Sequence, residues 1–175
     1  MLEKTLSRVP CKRINVPART VLLESGTVAQ NVYFIRSGCT RLWFNNEGED
    51  VTLQFFLEGQ VVASFDSLLH DRPSEFTLET ILPTEIDVYD KRQIEEALRG
   101  NAELGQQLTM QAFKLASKYM NLFLSRIKDT PQKRYERLLE ERPDIVAKIP
   151  QHYIASYLGI TAVSLSRIRA RIGKS

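Results

Sequence analysis

Apolar positions along the chain follow two periods. From residue 14 to about residue 90 they fall in short blocks rich in Val, Ile, Phe and Thr. The blocks are RTVLL (19–23), VYFIR (32–36), TRLWF (40–44), VTLQFF (51–56), EFTLETI (75–81) and EIDVY (85–89). Turn-forming residues separate them: ESG at 24–26, SG at 37–38, NNEGED at 45–50 and EGQ at 58–60. NNEG between two alternating runs predicts a hairpin. Many short strands at this spacing predict an antiparallel sandwich or barrel, and a jelly roll of about eight strands fits.

From Lys91 the period becomes helical. A short helix is expected over 91–98, stopping near Arg99-Gly100, then a long one over 102–128. The long helix carries two apolar stripes. One runs Leu108, Ala112, Leu115, Tyr119, Leu122, and the other Met110, Phe113, Met120, Leu124, Ile127. A helix apolar on two faces needs two burial partners. A β domain covers one; the heptad-like spacing favours a second copy of the same helix for the other, against burial in one larger core. Thr130-Pro131 then restarts the chain as an N-cap followed by Pro at the first helical position. A helix to Glu141 is expected, ended by Pro143; Pro150 opens another over 151–157, and a last one starts at Thr161. The tail reads as three short helices.

Charge sharpens this division. The net charge of +3 hides an asymmetry: residues 1–125 hold 13 Lys and Arg against 16 Asp and Glu, and residues 126–175 hold 11 against 5. A basic tail on a mildly acidic body points to an anionic partner for the tail. No run of about 18 apolar residues occurs, so no membrane-spanning helix and no membrane partner is expected. The N-terminal stretch lacks the apolar centre of a secretory signal. Cys11 and Cys39 are read as two reduced thiols, consistent with a cytoplasmic protein.

The last 25 residues carry the chemistry. Two helices joined by a short glycine turn make a helix-turn-helix. Gly159 supplies positive φ cheaply, Ala155 is small where the helices approach, Leu158 and Ile160 pack inward, and Thr161 caps the next helix. On a wheel of 100° per residue, Leu165, Ile168 and Ile172 share one face. Opposite lie Val163, Ser166, Arg167, Ala170 and Lys174, with Ser164 and Arg171 at the flank, and no acid follows Thr161. Such a face suits a major groove. Arg167 is the candidate for a bidentate contact to guanine and Val163 for a thymine methyl. Thr161, Ser164, Ser166 and Arg171 are candidates for phosphate, while Arg169 lies nearer the apolar face. The competing reading is a basic amphipathic helix that reads no DNA.

The whole chain resembles the Crp/Fnr-type bacterial transcription regulators. The resemblance rests on VLLESG (21–26), VYFIRSGCTRLW (32–43), the NNEGED hairpin, FFLEGQ (55–60) and IPQHYIASYLGITAVSLSRIRARI (149–172). It implies an α+β chain: an antiparallel β-roll of the cyclic-nucleotide-binding kind (1–99), a dimerisation helix (100–129) and a helix-turn-helix (130–175). It also implies a homodimer on double-stranded DNA, a small-molecule effector and RNA polymerase as a further candidate partner. The family's base-reading arginine falls on Arg167.

The resemblance has three departures. Ala63-Ser64 stands where members that bind cyclic AMP carry Gly-Glu, and Ser74 follows Pro73 where they carry the phosphate-binding arginine. Arg72 lies on the other side of Pro73. A buried phosphate without its cation is strongly unfavourable, so no tight cyclic-nucleotide binding is expected. Ser64, Phe65, Arg72 and Ser74 remain the candidate lining of a pocket that either takes another small molecule or is vestigial. Ala162-Val163 replaces the longer polar residue usual at the start of the recognition helix, and the sequence ends where relatives add a β-wing. Catalysis is not expected. His70 and His152 are the only histidines, too few for a metal cluster of the cupin kind, and two cysteines are too few for an iron–sulfur sensor. No cofactor is implied. The alternative is a ligand-binding or protein-interaction module of this fold that does not read DNA.

Overall fold

The computed structural model describes Leu6 and residues 8–173. Among these residues eight strands and seven helices follow in order. They are β1 (Lys12–Val16), β2 (Val21–Leu23), β3 (Asn31–Ser37), β4 (Cys39–Asn46), β5 (Glu49–Leu57), β6 (Val61–Val62), α1 (Phe65–His70), β7 (Thr77–Thr80), β8 (Thr84–Asp90), α2 (Lys91–Gly100), α3 (Ala102–Lys128), α4 (Pro131–Glu141), α5 (Pro143–Lys148), α6 (Gln151–Leu158) and α7 (Ala162–Ile172).

Two four-stranded sheets form the β part, ordered β1-β8-β3-β6 and β2-β7-β4-β5. The pairs β1–β8, β8–β3, β3–β6, β2–β7 and β7–β4 are antiparallel, with Ile35 opposite Ile86 in the first sheet and Leu42 opposite Leu78 in the second. Val32 to Ile35 are all buried, as are Cys39 to Leu42, so these strands lose both faces to packing. That is why they read as apolar blocks rather than clean alternation. Charged groups enclosed here form ion pairs. Asp87 takes Arg13 Nε at 2.7 Å and Arg36 Nε at 2.6 Å, and Arg41 meets Glu79 at 3.0 Å across β4 and β7. Burial pushes the Asp87 carboxyl up, but the two arginines outweigh it and hold the group below the ordinary carboxylate range.

Glu47 and Gly48 turn the predicted hairpin, both at positive φ (53° and 97°), as a two-residue turn between right-twisted strands requires. Asp90 caps α2 through a capping box with Gln93.

The chain divides into two compact units. The first comprises residues up to Phe44 with Gln54–Lys114, and the second Asn45–Leu53 with Leu115 onward. The hairpin tip thus belongs with the helical unit. There the Ser156 hydroxyl accepts from Thr52 N–H (2.8 Å) and donates to Asp50 C=O (2.6 Å). β5 is an edge strand, and edge strands leave such backbone groups open.

The long helix has the predicted bounds. Leu108, Leu115, Tyr119 and Leu122 of the first stripe are half-buried, and Ala112 is exposed. Met110, Phe113, Met120, Leu124 and Ile127 of the second stripe stand exposed, joined by Phe123. Two helices were not anticipated from the sequence. The first is α1, six residues between β6 and β7, a stretch to which the sequence pattern assigns no element. The second is α5, which makes the tail four helices rather than three. Pro143 does end α4, but its fixed φ also suits the first position of a new helix, and α5 starts on it. Strands β1 and β6 were also missed, being short and only partly apolar.

Candidate functional site

The helix-turn-helix is built by α6, a three-residue turn and α7. Gly159 adopts φ +67° and ψ 40°, the left-handed conformation costly for other residues. Around it Ile160 N–H bonds Ala155 C=O and Gly159 N–H bonds Ser156 C=O, both at 3.0 Å. This pair is a Schellman motif. Thr161 has extended backbone, and its Oγ1 accepts from Ser164 N–H at 3.2 Å as the N-cap of α7. Its hydroxyl also donates to Ser164 Oγ at 3.0 Å, which fixes both side chains at the mouth of the helix.

Leu165 and Ile168 are buried and Ile172 is half-buried, so one face of α7 holds the helix to its unit. Val163, Ser166, Arg167, Ala170 and Arg171 are exposed, Ser164 is half-buried, and Arg169 is exposed. Lys174, read as part of the outward face, lies outside the described residues. The exposed face brings three guanidinium groups and a hydroxyl together with small side chains and no carboxylate. Chemically it offers hydrogen-bond donors and positive charge to a polyanion.

Three residues around this motif were missed in the sequence. Arg126 Nη2 donates to Tyr157 C=O at 2.7 Å. Arg134 donates to Leu158 C=O through Nε (3.2 Å) and Nη2 (3.0 Å), and through Nη1 to Asp129 C=O (2.8 Å). Ser156 ties α6 to the hairpin tip, as described above. Arg126 and Arg134 registered in the sequence only as part of a basic tail, because nothing local marks an arginine that bonds a carbonyl 24 or 31 residues away.

In the β-roll, Ser64 and Ser74 are buried and come together, with Ser74 Oγ 2.9 Å from Ser64 Oγ and 2.8 Å from Phe76 C=O. Ser67, not singled out in the sequence, accepts from Ala29 N–H (2.9 Å) and donates to Arg72 C=O (2.6 Å). It ties α1 to the loop that follows. The Arg72 side chain is exposed and forks on Asp66, with Nη2 2.6 Å from Oδ1. The hydrogen bond and charge of Asp66 raise the arginine further, and Arg72 in turn lowers the Asp66 carboxyl. Phe65 is exposed. The buried pair is therefore two neutral hydroxyls in contact with each other, with the Arg72 guanidinium on the surface.

Among the described residues no cluster of His, Cys, Asp or Glu is arranged to hold a metal, Cys11 is exposed and Cys39 buried with no disulfide between them, and no helix is long and apolar enough to cross a membrane.

Comparison with known proteins agrees with this architecture. FixK2 from Bradyrhizobium japonicum superposes with a TM-score of 0.83 at 17% identity, covering 95% of this chain and 86% of that one. The c-di-GMP-responsive global regulator CLP from Xanthomonas campestris gives 0.71 at 15% identity, covering 99% and 91%. A structure from Eubacterium rectale described as a transcriptional regulator of the crp/fnr family gives 0.74 at 18% identity, covering 95% and 80%. At these identities the likeness is one of fold. No curated protein sequence gives a significant match. The cyclic nucleotide-binding domain model matches residues 13–101, over half of the chain, and the protein belongs to that family.

Proposed function

We propose that the protein is a cytoplasmic, sequence-specific DNA-binding transcription regulator acting as a homodimer. The observation that carries this reading is the outward face of α7, where Val163, Ser166, Arg167, Ala170 and Arg171 stand exposed beyond a glycine-turned, Thr-capped helix start. In this reading Arg167 reads a guanine, Val163 meets a thymine methyl, and Thr161, Ser164, Ser166 and Arg171 lie against the backbone.

Two copies pair through the apolar stripe of α3. An exposed row of Met110, Phe113, Met120, Phe123, Leu124 and Ile127 is larger than scattered surface apolar residues and has the spacing of a helix–helix seam. Pairing sets two recognition helices against half-sites about 34 Å apart. The sensor is degenerate toward cyclic nucleotides: Ser64 and Ser74 hold no phosphate charge, and a different effector acts by shifting how the two long helices pack. RNA polymerase is a further candidate partner.

The test is binding to genomic DNA fragments by the wild type and by Arg167→Ala. The variant should lose about 1–3 kcal/mol at its own base pair and relax specificity there. Binding that is absent, or insensitive to salt, in both proteins defeats the reading.

A further inference from the structure

The last four carbonyls of α6 account for themselves completely. A helix end leaves four C=O groups without intrahelical partners. Here Ala155 C=O and Ser156 C=O are taken by the Schellman pair from Ile160 and Gly159. Tyr157 C=O and Leu158 C=O are the two that the turn's own backbone cannot reach, and they receive Arg126 and Arg134. Two cations thus sit at the negative end of the α6 dipole, a favourable placement. Arg126 comes from the end of α3 and Arg134 from α4, so the pair joins the turn to those two helices. Arg126 Nη1 lies 3.0 Å from the point a Cβ on Gly159 would occupy; the guanidinium therefore packs on the glycine itself. Burial draws the Arg134 pKa down, and the neighbouring charge of Arg126 adds to this against the pull of Asp129. Thr161, the N-cap of α7, closes this turn two residues after Gly159.

We propose that Arg126 and Arg134 are positioning residues for the recognition helix: they hold the α6–α7 turn by its two remaining carbonyls and set the pose of α7 without touching DNA. The proposal rests on the DNA-binding reading above. It separates these two arginines from the rest of the basic tail, since a guanidinium committed to carbonyls is not neutralising phosphate. Each phosphate contact contributes about −0.9 to the slope of log K against log salt, whereas a positioning residue changes affinity and leaves the slope alone.

The experiment uses the full chain and duplexes selected by it from a random-sequence pool. Dissociation constants are measured over a salt series for wild type, Arg126→Ala, Arg126→Lys and Arg134→Ala. Both alanine variants should bind roughly tenfold more weakly, the loss of about one charged hydrogen bond. Their salt slope should be unchanged, and Arg126→Lys, which keeps a donor for Tyr157 C=O, should recover much of the affinity. A slope shallower by about one unit identifies a phosphate contact and overturns the proposal, as does unchanged affinity in both alanine variants. Amide exchange without DNA supplies the independent arm. Gly159 and Ile160 N–H should exchange faster in both alanine variants, and unaltered protection overturns the clamp. Failure to recover any duplex defeats the DNA-binding reading, and the exchange arm then decides the clamp by itself.

Discussion

Gly159 holds two conditions at once. Its φ of +67° disfavours any side chain, and a Cβ there meets Arg126 Nη1 at 3.0 Å. Gly159→Ala should therefore cost about 1–2 kcal/mol in urea unfolding. Gly159→Asn should cost less, because asparagine tolerates the left-handed region; equal stability of all three proteins would show that the turn is not held at this angle. The first condition was legible in the sequence, since a glycine between two short helical patterns, followed by Thr161, has few other uses. The second was not, because Arg126 is 33 residues distant along the chain. The same limit applies in the β-roll. Ser64 and Ser74 stood out as departures from a family pattern, but their mutual 2.9 Å approach and the outward fork of Arg72 on Asp66 arise only when α1 folds back through Ser67.

At the scale of elements, α3 shows how far periodicity reaches. Its bounds followed from an unbroken helical pattern over 102–128, and its two stripes from residue spacing. Which stripe the chain covers itself was not decided by spacing: both read as equally apolar, and the structure half-buries the one through Leu108 and Tyr119 and exposes the one through Phe113 and Ile127. A double change, Phe113→Glu with Phe123→Glu, places charge in the proposed seam while touching only exposed positions. Sedimentation should then give a monomer at concentrations where the wild type is a dimer, with thermal stability of the monomer fold retained. Dimers that persist in the variant would remove the stripe from the interface. The helix beginning at Pro143 illustrates the opposite case. A proline both stops a preceding helix and favours a following one, and the six residues after it are too few to display a period.

For the whole molecule, the sensor reading predicts that cyclic AMP and cyclic GMP leave the thermal midpoint unchanged. A buried site made of Ser64 and Ser74 hydroxyls offers a cyclic phosphate no counter-charge, so any binding is too weak to stabilise the fold. A gain of several degrees in a thermal-shift measurement would overturn that reading. Local sequence determined the order of architecture: apolar blocks with turns, a long two-striped helix, and a basic helix-turn-helix with its cap, glycine and outward arginine. These are properties of neighbours within one or two turns of chain, where side-chain period and backbone preference act directly. Tertiary structure alone decided what distant groups do to one another. It put the hairpin tip on Ser156 and Asp87 between Arg13 and Arg36. It also assigned two arginines of the basic tail to the carbonyls of α6. Each of these is a buried or half-buried polar group finding a partner, a requirement that the sequence imposes everywhere but whose solution depends on which backbone groups the fold leaves unpaired.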